Sequence, residues 1–194
     1  KGEKNMRKNW VALALTGMLC LTTFAGTQTV SAETTDSAKQ VDIVFTHDTH
    51  SHLNTFTTVV DNAEKEVGGF TRINTLIQEQ KAKNPDTLVI DGGDFSMGTL
   101  IQTVFETQAA EIRMLGYLGC EVTTLGNHEF DYRSKGLANM LNSAVESGDN
   151  LPAMVVCNVD WESMEAAGLS EGQQQIKDAF DEYGVSDYVV LEKG

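Results

Sequence analysis

Three short runs of this 194-residue chain each end an apolar, strand-like stretch in a cluster of side chains able to ligate metals. Val41–Thr46 leads into His47-Asp48-Thr49-His50, Thr87–Ile90 into Asp91-Gly92-Gly93-Asp94, and Val122–Leu125 into Gly126-Asn127-His128-Glu129. Asp48, His50, Asp94, Asn127 and His128 supply carboxylate oxygens, imidazole nitrogens and an amide oxygen, with no thiolate in any cluster. That donor set suits borderline and hard divalent ions such as Zn, Mn, Fe or Mg, and not a structural Cys-zinc site. A lone Asp-x-His carries little weight, because aspartates often end strands and cap helices. Three clusters at equivalent positions of a repeating pattern carry much more.

The stretches between the clusters predict the elements that must position them. Ile73, Leu76, Ile77 and Gln80 begin a helix that stops before Asn84-Pro85. Ile101, Val104, Phe105, Ile112, Leu115 and Leu118 mark a second, and Leu137, Met140, Leu141, Ala144 and Val145 a third. Strand and helix alternate, so the chain reads as an α/β fold whose consecutive strands run parallel. Right-handed crossovers then bring all three clusters to one edge, the carboxyl ends of the strands, where open α/β sheets build their sites. Ala153–Val159 and Tyr188–Leu191 read as further strands, and Ser170–Tyr183 as a helix polar enough to be largely exposed.

Asp48-x-His50, Gly93-Asp94-x-x-x-Gly98 and Gly126-Asn127-His128-Glu129 resemble, in order and spacing, the first three signature motifs of the calcineurin-like metallophosphoesterases. The string Gly126–Asp131 most resembles the secreted 5′-nucleotidase branch, with its UDP-sugar hydrolase and 2′,3′-cyclic-nucleotide phosphodiesterase relatives. The likeness runs from about Val41 to Gly194. It implies the first half of a four-layer α/β/β/α metallophosphatase sandwich and a metal-dependent phosphoesterase that hydrolyses nucleotides with two divalent ions (Zn, Mn, Fe, Mg or Co). By the same resemblance Asp48 and His50 bind the first metal, Asp94 bridges both, and Asn127 binds the second through its side-chain oxygen. His128 faces the phosphate, and Asp131 is its carboxylate partner, orienting the imidazole and favouring its protonated form. Within the branch, a cyclic-nucleotide phosphodiesterase/3′-nucleotidase or a UDP-sugar hydrolase is the alternative. Outside enzymes, it is an inactive surface or nucleotide-binding protein on the same scaffold.

The family completes its site with histidine-bearing motifs further on, whereas the last histidine here is His128. The expectation is therefore a metallophosphoesterase domain at 41–194, truncated at its carboxyl end and inactive as given. At the other end, Met6-Arg7-Lys8 starts a basic region, Trp10–Phe24 is apolar, and Val30-Ser31-Ala32 has the small residues of a cleavage site. Residues 6–32 read as a secretory signal peptide, 33–40 as a polar linker, and 1–5 as a translated leader whose codons can hold a bacterial ribosome-binding sequence. The apolar run is interrupted by Thr16, Gly17, Thr22 and Thr23 and is too short to span a bilayer. Leu19 before Cys20 argues against a lipoprotein signal. The mature protein is expected to be secreted, with no stable membrane insertion.

Residues 33–194 carry 10 basic against 27 acidic side chains, a formal charge of −17. Such a surface repels nucleic acid. It also repels a small nucleotide or phosphate ester, the expected partner, so bound cations are an electrostatic requirement as well as a chemical one. Cys120 and Cys157 lie in apolar surroundings and read as buried free thiols, with a disulfide as the alternative. His47 and His52 are expected to hydrogen-bond around the ligands, Asp91 and Glu129 to hold the loops in shape, Phe95 and Met97 to pack beneath the Gly93–Gly98 turn, and the two glycines to permit it.

Overall fold

A computed structural model describes residues 40–193 of the chain. The expected leader, the signal peptide and all of the linker but Gln40 lie outside the described residues. Four parallel strands form one sheet in the order β1 (Ile43–Thr46), β4 (Leu88–Asp91), β5 (Val122–Thr123) and β6 (Ala153–Met154). Helices connect them: α1 (Phe70–Lys83), α2 (Phe105–Gln108), α3 (Ala110–Tyr117) and α4 (Arg133–Ser147), with α5 (Trp161–Ala167) and α6 (Glu171–Tyr183) after β6. The fold is mixed α/β, as the alternation predicts, and the turns that leave β1, β4 and β5 lie at the same edge.

Register decides which side chains meet the helices. Val44 pairs with Val89 and Thr123 with Met154, and these face a core of Phe70, Ile77, Phe105, Ile112, Leu115, Leu137, Leu141 and Phe180. Burying each such large apolar side chain stabilises the fold by roughly 1.5–3 kcal/mol. Ile43 and Phe45 point to the opposite face and stay 56% exposed. That face carries an apolar groove of about 630 Å³ lined by Phe45, Ile90, Val122, Val189 and Leu191.

Several expectations are corrected. The second helix is not continuous: a 3₁₀ turn (Leu100–Val104), α2 and α3 replace it, and Ala109 between the last two is left-handed at φ 47°. A left-handed residue cannot continue an α-helix. Between β1 and α1 lies an antiparallel hairpin, β2 (Phe56–Val60) and β3 (Ala63–Val67), which helical periodicity does not suggest. Its turn is Asp61-Asn62, both at positive φ (55° and 61°), a pairing favoured in two-residue hairpin loops. Tyr188–Leu191 is no strand; pairing there is limited to the single bridge Val155–Ser186, and Tyr188 and Val190 are exposed. The strand expected over Ala153–Val159 ends at Met154, which leaves Cys157 exposed, while Cys120 is buried and both are free. Helix α6 has the Ser170/Gln173 capping box, yet it is not largely exposed: Ile176, Ala179 and Phe180 are buried, and its apolar stripe packs along α4.

Candidate metal centre

Backbone geometry builds the site first. Asp48 (φ 52°), His50 (44°), Ser51 (55°) and Asp94 (51°) all adopt left-handed conformations. Such residues are uncommon outside glycine and cost on the order of 1 kcal/mol or more each, so the surroundings must hold them there. A ladder between the two loops does so: the Asp48, His50 and Ser51 N–H groups donate to the carbonyls of Gly93 (3.1 Å), Asp94 (3.1 Å) and Phe95 (2.8 Å). Gly93 is at φ 87°, and a Cβ there would sit 2.5 Å from the Gly126 nitrogen; one on Gly98 would collide with the His50 carbonyl oxygen. These glycines let three loops touch, beyond permitting a turn. Phe95 is fully buried and Met97 packs against the core below, as expected.

Ligand atoms of Asp48, His50 and Asp94 then lie within 4.8 Å of one another. His50 Nδ1 faces the Ser96 carbonyl at 3.2 Å. A carbonyl only accepts, so Nδ1 carries the proton and Nε2 is left as the ligating atom. His47 Nδ1 stands 3.1 Å from Asp48 Oδ2, and His52 Nδ1 meets the Thr49 carbonyl. Both histidines flank the cluster without joining it.

Asp94 connects this group to the third loop. Its Oδ1 accepts from the His128 N–H at 2.8 Å. The Asn127 amide lies between Asp94 Oδ2 and the His128 N–H and is satisfied with its nitrogen donating to Asp94 Oδ2 and its oxygen accepting from His128, both at 3.2 Å. Asp48, His50 and Asp94 bring two carboxylates and one imidazole nitrogen to a single point. The donor set therefore fits a divalent ion on the residues present.

The His128 ring stands edge-on to His50, centroids 5.0 Å apart, and does not join the ligand group. Its Nδ1 donates to Asp131 Oδ2 at 2.9 Å. That hydrogen bond, above all, raises the imidazole pKa from its ordinary value, and the Asp131, Asp94 and Glu129 charges push the same way.

Buried carboxylates support the loops from below. Glu129 is fully buried and accepts four hydrogen bonds, from the N–H groups of Asp94 (3.0 Å), Ser96 (3.0 Å) and Gly126 (2.7 Å) and from the Ser96 hydroxyl (2.8 Å). Asp91 accepts from the Thr46 and Thr123 hydroxyls and the Gly93 N–H; burial pushes its carboxyl up while those bonds pull it down. Both hold loops in shape, as read from the sequence. Ser51, Ser96 and Glu111 were not foreseen. A signal existed for Glu111, which precedes Leu115 by four residues and Leu118 by seven and so falls on the apolar stripe of its helix, where a charge needs a reason.

The family model for calcineurin-like phosphoesterases matches residues 41–188. A probable 5′-nucleotidase of Treponema pallidum is 32% identical over 53% of this chain and 18% of its own length. The 5′-nucleotidase of Rattus norvegicus is 32% identical over 68% of this chain and 21% of its own. Among solved structures, a 5′-nucleotidase precursor from Thermus thermophilus superposes with a TM-score of 0.60 at 27% identity, covering 78% of this chain and 26% of that one. The chain thus spans about a fifth of the length of the curated relatives it matches.

Proposed function

The chain belongs to the calcineurin-like phosphoesterase family, and on that premise we propose that it carries part of the catalytic centre of a secreted, metal-dependent phosphoesterase that hydrolyses nucleotides in the manner of a 5′-nucleotidase. The observation that carries this reading is the convergence of Asp48, His50 and Asp94 ligand atoms within 4.8 Å at the carboxyl ends of β1 and β4. Asp48, His50 and Asp94, with the Asn127 amide beside them, would hold the divalent cations. The chemistry such ions would supply is a lowered pKa for an attacking water and neutralised charge on the phosphoryl oxygens. His128 presents Nε2 to the substrate side, because Nδ1 is committed to Asp131. The Asp131 carboxylate on Nδ1 favours the imidazolium, which would donate to a phosphoryl or leaving-group oxygen as charge builds there.

Residues 41–194 form the metallophosphoesterase segment of this reading, 33–40 a tether, 6–32 a secretory signal and 1–5 a translated leader. Among the described residues no helix is long and apolar enough to cross a membrane. Asp48, His50, Asp94 and Asn127 by themselves would give each cation few protein ligands, so residues 41–194 alone are expected to turn over phosphate esters negligibly. The test is hydrolysis of AMP, a 2′,3′-cyclic nucleotide and UDP-glucose by the full-length gene product, before and after EDTA and with Mn or Zn restored. Chelator-sensitive, metal-restored release of phosphate from AMP is expected. Turnover indifferent to chelator, or none on any of the three, would overturn the reading.

A further inference from the structure

Glu111 is a carboxyl group fully shielded from solvent in the first turn of α3, a helix whose Ile112 and Leu115 belong to the hydrophobic core. Its Oε1 accepts the Ser51 hydroxyl at 2.7 Å, and its Oε2 has no partner among the described residues. Burying a half-satisfied carboxyl is costly, and an apolar side chain of similar volume there would ordinarily be neutral or stabilising. Packing therefore gives no reason for glutamate at this position.

Its partner supplies one. Ser51 is fully buried, left-handed, and adjacent to His50. Its N–H is tied to the Phe95 carbonyl, and its carbonyl accepts both the Thr99 hydroxyl at 2.7 Å and the Leu53 N–H at 2.9 Å, so two of its three polar groups are fixed by the loops themselves. The hydroxyl is the third tether, and Glu111 holds it. The left-handed break at Ala109 restarts the helix so that Glu111 falls in its first turn, where the helix dipole favours a carboxylate.

We propose that Glu111 is a positioning residue for the His50 ligand, clamping the 48–51 turn through Ser51 so that His50 Nε2 is aimed at the cation. This rests on the metal-binding reading above. In the full-length protein, Mn affinity is titrated against a chelating fluorophore for wild type, Ser51→Ala, Glu111→Gln, Glu111→Leu and the Ser51→Ala/Glu111→Leu pair, and each metal-free form is also unfolded in urea. Gln keeps an oxygen for Ser51 and should bind Mn nearly as wild type does. Ser51→Ala and Glu111→Leu should each weaken Mn binding by about tenfold or more, the low end for groups that orient a ligand. The pair should be no worse than the weaker single variant, because both remove one interaction. Glu111→Leu should not lower the urea midpoint of the metal-free form in proportion. Should it fail to fold, Ser51→Ala, which loses one hydroxyl, decides alone. Wild-type Mn affinity in Ser51→Ala and Glu111→Leu would overturn this inference while leaving the metal site intact; a wild type that binds no Mn would overturn the functional reading and the inference with it.

Discussion

The Asp48–Ser51 and Gly93–Ser96 loops are held from beneath, by a backbone ladder and by the buried carboxylates of Glu129 and Glu111. The His128–Asp131 pair sits a few ångströms away at the surface: the His128 N–H is anchored on Asp94, but the two side chains, both more than a third exposed, are oriented by their own 2.9 Å contact. Under the proposed function the difference separates two tasks. A cation site needs several ligands fixed at once in strained conformations, so the interior is recruited to fix them. A proton donor to substrate must stay reachable, and one oriented partner suffices.

The sharpest way to break this division is Asp94→Asn in the full-length protein. Asp94 belongs to the first ligand group and accepts the His128 N–H of the third loop, so its charge loss should lower turnover by more than about 10⁴-fold as the cation site weakens. His128→Asn should lower turnover by roughly 10²- to 10⁴-fold, the range for a lost general acid-base group, without loosening the loops. Glu129→Gln turns an amide donor against N–H groups that now donate to a carboxylate, and should cost roughly 3 kcal/mol of stability in a urea titration. An unchanged midpoint would show that the loops do not depend on it. Last, native protein treated with iodoacetamide should be labelled at exposed Cys157 and spared at Cys120, whose thiol is pushed up to about 12, chiefly by burial and further by the Asp91 charge. Comparable labelling of both would contradict the packing beneath β5.

What can be read from the chain tracks how local the governing physics is. The three ligand clusters and the strands that deliver them are legible because an apolar run followed by donor residues is a contiguous pattern, and parallel order follows from the intervening helices. The break at Ala109 is not, since the seven-residue step from Phe105 to Ile112 keeps helical phase across it and Leu115 and Leu118 carry the stripe on. The hairpin escapes such a reading although Asp61-Asn62 announces its turn, because its strands alternate apolar and polar residues weakly. The buried face of α6 escapes it because three apolar side chains, Ile176, Ala179 and Phe180, suffice to dock a helix that is otherwise polar. Exposure of Cys157 depends on where β6 stops, and strand ends are set by partners that one segment does not reveal.

Metal content tests the division between the two corners most directly. Full-length wild type, His128→Asn and Asp94→Asn are loaded with Mn or Zn, passed over a desalting column, and measured by elemental analysis beside a folded-state check by circular dichroism. The account predicts that His128→Asn keeps the wild-type metal content and Asp94→Asn loses most of it while remaining folded. Equal content in the two variants, or loss from His128→Asn, would contradict it.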